Sequence, residues 1–162
     1  MKKKILGVFV SLFVVAMLAL PMSIIYAKKP MPVQGTFFPA GAPTVVTSQP
    51  GNSDNLVVDI SDGPQMWTGS FVGSAVSSVH WNIIKSSDEE APGHHVSGKS
   101  TFTLDVVYDD KEGTLTIKGD HSNWRIISGT GDLANLRGHG TFYQIDITIM
   151  LMGYEGEVHF DP

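Results

Sequence analysis

The stretch W-R-I-I-S-G-T-G-D-L-A-N-L-R-G-H-G-T-F, Trp124 to Phe142, decides the fold. A short apolar run ends in Gly129-Thr130-Gly131-Asp132, and a compact corner follows with Leu133 and Leu136. A strand then restarts through Gly138-His139-Gly140. Glycines on both sides of a corner let the backbone take positive φ and approach a neighbouring segment closely. The pattern marks a tight strand-to-strand junction in an antiparallel barrel. It speaks for architecture rather than chemistry, because Gly129-Thr130-Gly131 lacks the lysine and following helix of a phosphate loop.

Working outward from the corner, two-residue alternation recurs on both sides. Trp124 and Ile126 precede it, and before them Leu115 and Ile117 follow a hairpin turn at Asp109-Asp110-Lys111-Glu112-Gly113. Phe102, Leu104, Val106 and Tyr108 face one way, with Thr101, Thr103, Asp105 and Val107 on the other face. Ser86 to His95 reads as a polar loop, and Val79, Trp81 and Ile83 alternate with His80 and Asn82. Met66 to Gly73 sets Trp67, Gly69 and Phe71 on one face, after a short strand Leu56–Ile60 and a turn Ser61-Asp62-Gly63-Pro64. Beyond the corner, one long strand is expected from Thr141 to Leu151. The last strand places Tyr154, Gly156, Val158 and Phe160 opposite Glu155, Glu157, His159 and Asp161. No segment sustains a helical period. About eight short strands predict an all-β chain. Glycines on the inward face (Gly69, Gly73, Gly156) favour a single eight-stranded antiparallel β-barrel.

The first 27 residues read as a secretory signal peptide: Lys2, Lys3 and Lys4, an apolar run from Ile5 to Leu20, and Ala27 at the cleavage position. The alternative is an uncleaved N-terminal anchor. The apolar run is short for a bilayer-spanning helix of about 20 residues, so no stable membrane span is expected once the signal is removed. Either way the domain is expected outside the cytoplasmic membrane: secreted, periplasmic or at the cell surface. Residues 28–55 form a proline-rich segment (Pro30, Pro32, Pro39, Pro43, Pro50) with a candidate first strand at Val33–Phe38. Within it, Pro39 to Asp54 reads as an extended, mobile connection, and residues 56–162 hold the barrel domain. Taking the three n-region lysines from the eleven basic residues leaves eight against sixteen acids, a charge of −8. Such a surface repels phosphate backbones, so nucleic acid is not expected as a partner. The absence of cysteine excludes disulfides, thiol catalysis, thiolate metal sites and cysteine lipidation.

Four stretches together carry a resemblance. They are W-T-G-S-F-V-G-S (Trp67–Ser74), G-T-L-T-I-K-G (Gly113–Gly119), G-T-G-D-L-A-N-L-R-G-H-G-T-F (Gly129–Phe142) and Y-E-G-E-V-H-F-D-P (Tyr154–Pro162). The chain resembles the allene oxide cyclase-like barrels, and within them exported prokaryotic members of unknown function. The resemblance implies an eight-stranded antiparallel barrel. It also implies kinship with plant isomerases that cyclise a fatty-acid epoxide and with dirigent proteins that orient phenoxy radicals, both of which hold an apolar substrate in the barrel. No catalytic residue is carried over, because the inward faces read as almost wholly apolar.

Candidate sites follow from side chains weighed against their simpler roles. Trp67, Phe71, Trp81, Tyr108, Trp124, Tyr143 and Tyr154 are the candidate ligand-binding residues; the simpler role of inward aromatics is the core itself. His94-His95 with His80, His121, His139 and His159 lack the spacing of a metal signature, so no metal and no cofactor are expected. Asp132 and Arg137 either pair beside a ligand or serve the corner, Asp132 as a cap and Arg137 through its aliphatic stem. No nucleophile with its base is evident, so no catalytic residue is assigned. The expectation is an exported barrel that binds a small apolar ligand without turnover. An isomerase or dirigent-like enzyme acting on an unsaturated lipid or phenolic is the alternative, and a scaffold with a filled core is the third reading. Homo-oligomerisation stays open.

Overall fold

A computed structural model describes residues 29–51, 55–84, 94–120 and 122–162. The leader read over residues 1–27 lies outside them. Among the described residues nine strands run in chain order: β1 (Met31–Pro39), β2 (Thr44–Ser48), β3 (Asn55–Gly69), β4 (Val72–Ile84), β5 (His94–Tyr108), β6 (Lys111–Asp120), β7 (Asn123–Gly129), β8 (Leu136–Asp146) and β9 (Leu151–Phe160). Their order in the sheet is β1-β9-β8-β7-β6-β5-β4-β3-β2, and an additional β1–β3 pairing closes the ring. The result is a closed eight-stave antiparallel barrel, with β2 added along the far half of β3. The all-β antiparallel barrel expected from alternation is the fold observed.

Closure depends on one bulge. β1 pairs with β3 from Gly35↔Gly69 to Pro39↔Gln65, and β2 continues along the same edge from Thr44↔Ser61 to Ser48↔Val57. The break between β1 and β2 lies beside the β3 irregularity between Ile60 and Gly63, where the Ala40 N–H donates to the Pro64 carbonyl at 2.8 Å. Ser61-Asp62-Gly63-Pro64, expected as a turn, is therefore an interruption inside one long strand. Turn-type residues and proline serve a bulge as well as they serve a turn. The connection expected over Pro39–Asp54 contains β2, an additional paired strand.

Three other boundaries differ from expectation. The strand expected over Thr141–Leu151 is two strands, with a reversal at residues 147–150 between β8 and β9. The Asp146 carboxylate accepts from the Thr148 N–H at 2.7 Å, and Met150 adopts φ 51°. The turn at 109–113 is only Asp109-Asp110, with φ 50° and 59°, and Lys111 already belongs to β6. A two-residue hairpin with both residues at positive φ matches strand twist, and aspartate tolerates that region better than most side chains. His94 and His95, expected in a loop, open β5. Gly69 ends β3 with φ 95° instead of sitting mid-strand on the inward face.

The corner behaves as read. Gly131 takes φ 59° and begins a single 3₁₀ turn, Gly131–Leu133, whose Leu133 is buried. Inside the barrel, an aromatic cluster fills the bore. The Phe37 ring stacks on Trp67 at 4.5 Å, and Phe102 and Phe142 approach Phe37 edge-on at 5.7 and 5.3 Å. Tyr154 lies between Trp67 and Phe71, at 5.0 and 5.7 Å. Leu104, Leu115, Ile117, Leu133, Leu136 and Val158 complete the buried packing. Trp124 gains its seat because Gly140 and Gly156 face each other on β8 and β9: a Cβ on either would come within 2.7 Å of the indole.

Candidate functional site

The two ends of the barrel are built differently. At the end where β3 turns into β4, Tyr154 reaches across from β9, donates to the Thr68 carbonyl at 3.1 Å and accepts from the Phe71 N–H at 2.9 Å. Burial pushes the Tyr154 hydroxyl up to about 12, against the lowering effect of backbone hydrogen bonds at Phe71 and Ser70. Tyr108 closes the same end, with its ring 5.3 Å from Phe71 and its hydroxyl on the Met31 sulfur; burial, then the charge of Asp109, raises its pKa. Arg137 donates to the Ala134 and Leu136 carbonyls and pairs with Asp161, so its guanidinium ties the corner to the last strand. Asp132 stays exposed and is not its partner.

At the other end the packed core stops short of the mouth. Trp81 and Ile83 from the end of β4, Ser122 from the β6–β7 turn, Phe142, Tyr143 and Gln144 from β8, and Met152 from β9 line a groove of about 590 Å³. β4 and β8 stand four staves apart in a ring of eight, so the groove crosses the barrel mouth from one wall to the opposite one. Its floor is the top of the core, because Phe142 is buried and Met152 packs on the same cluster. Its rim is wet: Trp81 is 36% exposed, and Tyr143 lies half-exposed with its ring over Gly153. A volume of this size lies within the ordinary range for small-molecule sites, roughly 300–1,000 Å³. Among the described residues, no Asp, Glu, Lys, Arg or His is in the lining.

Of the seven candidate residues, the structure therefore brings two to the groove, Trp81 and Tyr143. Trp67, Phe71, Tyr108, Trp124 and Tyr154 are core, each no more than 6% exposed. The groove also uses Ile83, Ser122, Phe142, Gln144 and Met152, which sequence reasoning did not single out for a site. Alternation tells which face a residue occupies but not its height along the barrel axis. Trp81 shares its parity with buried Ala75 and Ser77, yet it sits beyond the top of the packed core.

The inward faces carry one polar chain that their composition did not suggest. The Trp67 indole donates to the Gln65 side-chain carbonyl at 3.3 Å, the Gln65 amide to the Ser77 hydroxyl at 3.2 Å, and that hydroxyl to the Gly63 carbonyl at 3.1 Å. Its members satisfy one another, and the chain anchors the β3 bulge to β4. Elsewhere, His80 pairs with Asp59 at 2.6 Å and His159 with Asp161 at 3.1 Å. Among the described residues no three of His, Asp and Glu converge in a metal-holding group.

Comparison with known proteins agrees with the architecture. No protein-family model and no curated protein matches the sequence. Among solved structures, the chain is similar to a protein of unknown function of the DUF3224 family from Shewanella oneidensis MR-1. The identity is 13% and the TM-score 0.57, covering 83% of this chain and 99% of that one. It is also similar to the pterocarpan synthase dirigent protein GePTS1, at 19% identity and a TM-score of 0.46, over 87% of this chain and 95% of that one. The likeness to the DUF3224 protein is one of fold alone.

Proposed function

We propose that the protein is an exported barrel that binds a small apolar ligand across its mouth, without turning it over. The observation that carries this reading is the pairing of a filled bore with an open groove above it whose described lining is uncharged. Core aromatics occupy the interior, so a ligand is held at the rim between Trp81 and Phe142. Apolar and aromatic walls with a few polar groups suit a ring system or a short hydrocarbon; Ser122, Tyr143 and Gln144 supply hydrogen bonds to a single oxygen function. Proton abstraction needs a base of suitable pKa within hydrogen-bond reach of the substrate. Among the described residues the lining offers hydroxyls and an amide in that role, which supports retention over conversion. Export is supported by Lys2–Lys4 and the apolar run Ile5–Leu20.

The test incubates the protein with a mixture of fatty acids, terpenoids and phenolics and identifies retained species by native mass spectrometry. The expected result is one unaltered apolar compound held by the native protein and released in Trp81→Ala, with the fold of that variant intact by circular dichroism. Isomerisation or coupling of a compound would overturn binding without turnover. A protein that retains nothing would overturn binding itself.

A further inference from the structure

One edge of the sheet is left unpaired. β1 lies between β9 and β3 as far as Pro39, and β2 then continues along β3 from Thr44↔Ser61 to Ser48↔Val57. β9 begins at Leu151, level with the end of β1, so β2 has no strand on its other side. The backbone groups along that side of Thr44–Ser48 meet no partner among the described residues. All five side chains are exposed, Val45 by 53% and Val46 by 57%. An open ladder of this kind recruits another strand unless charge or proline guards it. The T-V-V-T-S edge carries no charge, and its prolines, Pro43 and Pro50, stand just outside it. Proline has no N–H to give to a ladder, so the two leave the window between them open and confine pairing to it. Four of the five residues in the window are β-branched, which suits an extended strand.

We propose that this edge pairs with the same edge of a second copy, β2 against β2, antiparallel about a two-fold axis through Val46. In that register the window is its own complement. Val46 meets the partner's Val46, Val45 the partner's Thr47, and Thr44 the partner's Ser48. Apolar side chains therefore face each other at the centre, and hydroxyls meet at the ends. The bracketing prolines fall outside the pairing on both copies. Charge points the same way. Each chain carries a net charge of −5, so two copies approach best where no carboxylate faces the other. The carboxylate nearest by register, Asp59 opposite Val46 on β3, is already paired with His80 at 2.6 Å. A two-fold contact uses the same patch on both copies, so the assembly closes at two. Five paired residues a side fall well short of the roughly 20–30 of a stable interface, so the dimer is reversible and follows protein concentration.

Sedimentation equilibrium over a concentration series reads the association. The protein is expected to pass from monomer to dimer as its concentration rises. Val45→Lys/Thr47→Lys sets a lysine opposite a lysine on both sides of the axis. It should weaken the dimer at least ten-fold, with the circular dichroism spectrum unchanged. Val45→Lys/Thr47→Glu sets a lysine opposite a glutamate at the same two places and should dimerise at least as well as the parent at low salt. Val76→Lys, at a site on β4 that is 49% exposed, should leave the dimer as it is. A parent that stays monomeric at every concentration, or that grows into open filaments, would overturn the proposal. So would a double-lysine variant that dimerises like the parent, which would place the contact elsewhere on the barrel. Loss of the dimer in both double variants would overturn it too, since the edge would then pair in another register or with another strand.

Discussion

The closed end and the mouth of this barrel are made from the same kinds of residue and do opposite things with them. At the closed end, Tyr154, Tyr108 and Phe71 turn their rings inward, and both tyrosine hydroxyls find partners. At the mouth, Trp81 and Tyr143 keep part of their rings in water, and the β8–β9 reversal exposes Ile147 (75%), Ile149 and Met150. These apolar side chains left wet set the mouth apart from the other end, where Tyr154, Tyr108 and Phe71 are each no more than 6% exposed. The contrast teaches that aromatic content does not locate a site in a small barrel; the height of each ring along the axis does.

The sharpest way to break the comparison is to remove one indole from each region. Trp67 is 1% exposed and stacks on Phe37, so Trp67→Ala should cost about 3–5 kcal/mol, the usual range for a large aromatic cut from a core. Trp81→Ala should cost clearly less, because Trp81 is 36% exposed and its truncation removes less buried surface. Chemical denaturation of both variants measures the difference. Similar losses would place Trp81 in the core and remove the distinction between floor and rim.

Tyr154 gives the next test, at the closed end. Its hydroxyl pKa stands near 12, against 10 for a free tyrosine. Between those two values the unfolded chain gives up the proton while the folded chain keeps it. The stability contributed is therefore complete below pH 10 and is lost as pH rises toward 12, on the order of 2 kcal/mol in all. Tyr154→Phe should lower stability at pH 7 by about 1–3 kcal/mol, since it orphans the Thr68 carbonyl and the Phe71 N–H. It should also flatten the fall in stability between pH 10 and 12, apart from what Tyr108 adds in the same direction. A variant as alkali-sensitive as the parent would show that Tyr154 does not guard this end.

These regions also differ in how far they can be read from sequence. Strands with strict alternation and glycine punctuation were legible: β5, β9 and the Gly129–Leu136 corner lie where Phe102, Leu104, Val106, Tyr154 and Val158 place them. The mouth was not legible, for two physical reasons. Its hairpin runs Tyr143-Gln-Ile-Asp-Ile-Thr-Ile-Met-Leu-Met152, which alternates without glycine or proline. The chain reverses there through an aspartate side chain and a methionine at positive φ, which no turn signal announces. The bulge in β3 fails in the opposite sense, since Asp62-Gly63-Pro64 carries every mark of a turn inside a strand that continues. For the site, a period of two separated inside from outside but said nothing of depth, so Trp81 was grouped with five core aromatics, while Tyr143 has the opposite parity to buried Phe142 and lies over Gly153 on the outer face.

The smallest expected effect lies at the tip of that unannounced hairpin. Met150 holds φ 51° on an exposed turn, where its side chain is 62% exposed. For an L residue with a Cβ the left-handed region costs roughly 1–2 kcal/mol, and glycine avoids that cost. Part of the gain is returned, because glycine is more flexible in the unfolded chain. Met150→Gly should therefore raise stability by about 0.5–1 kcal/mol, a rise in melting temperature of about 2–4 °C for a domain of this size. Met150→Val should do the reverse, since β-branched side chains fit this region worst. A stabilised Met150→Gly that still retains the apolar ligand would mean that only the turn's backbone conformation is strained there. If the variant were stabilised but lost its ligand, the methionine would belong to the mouth's binding surface, and the groove would extend up the hairpin beyond Met152.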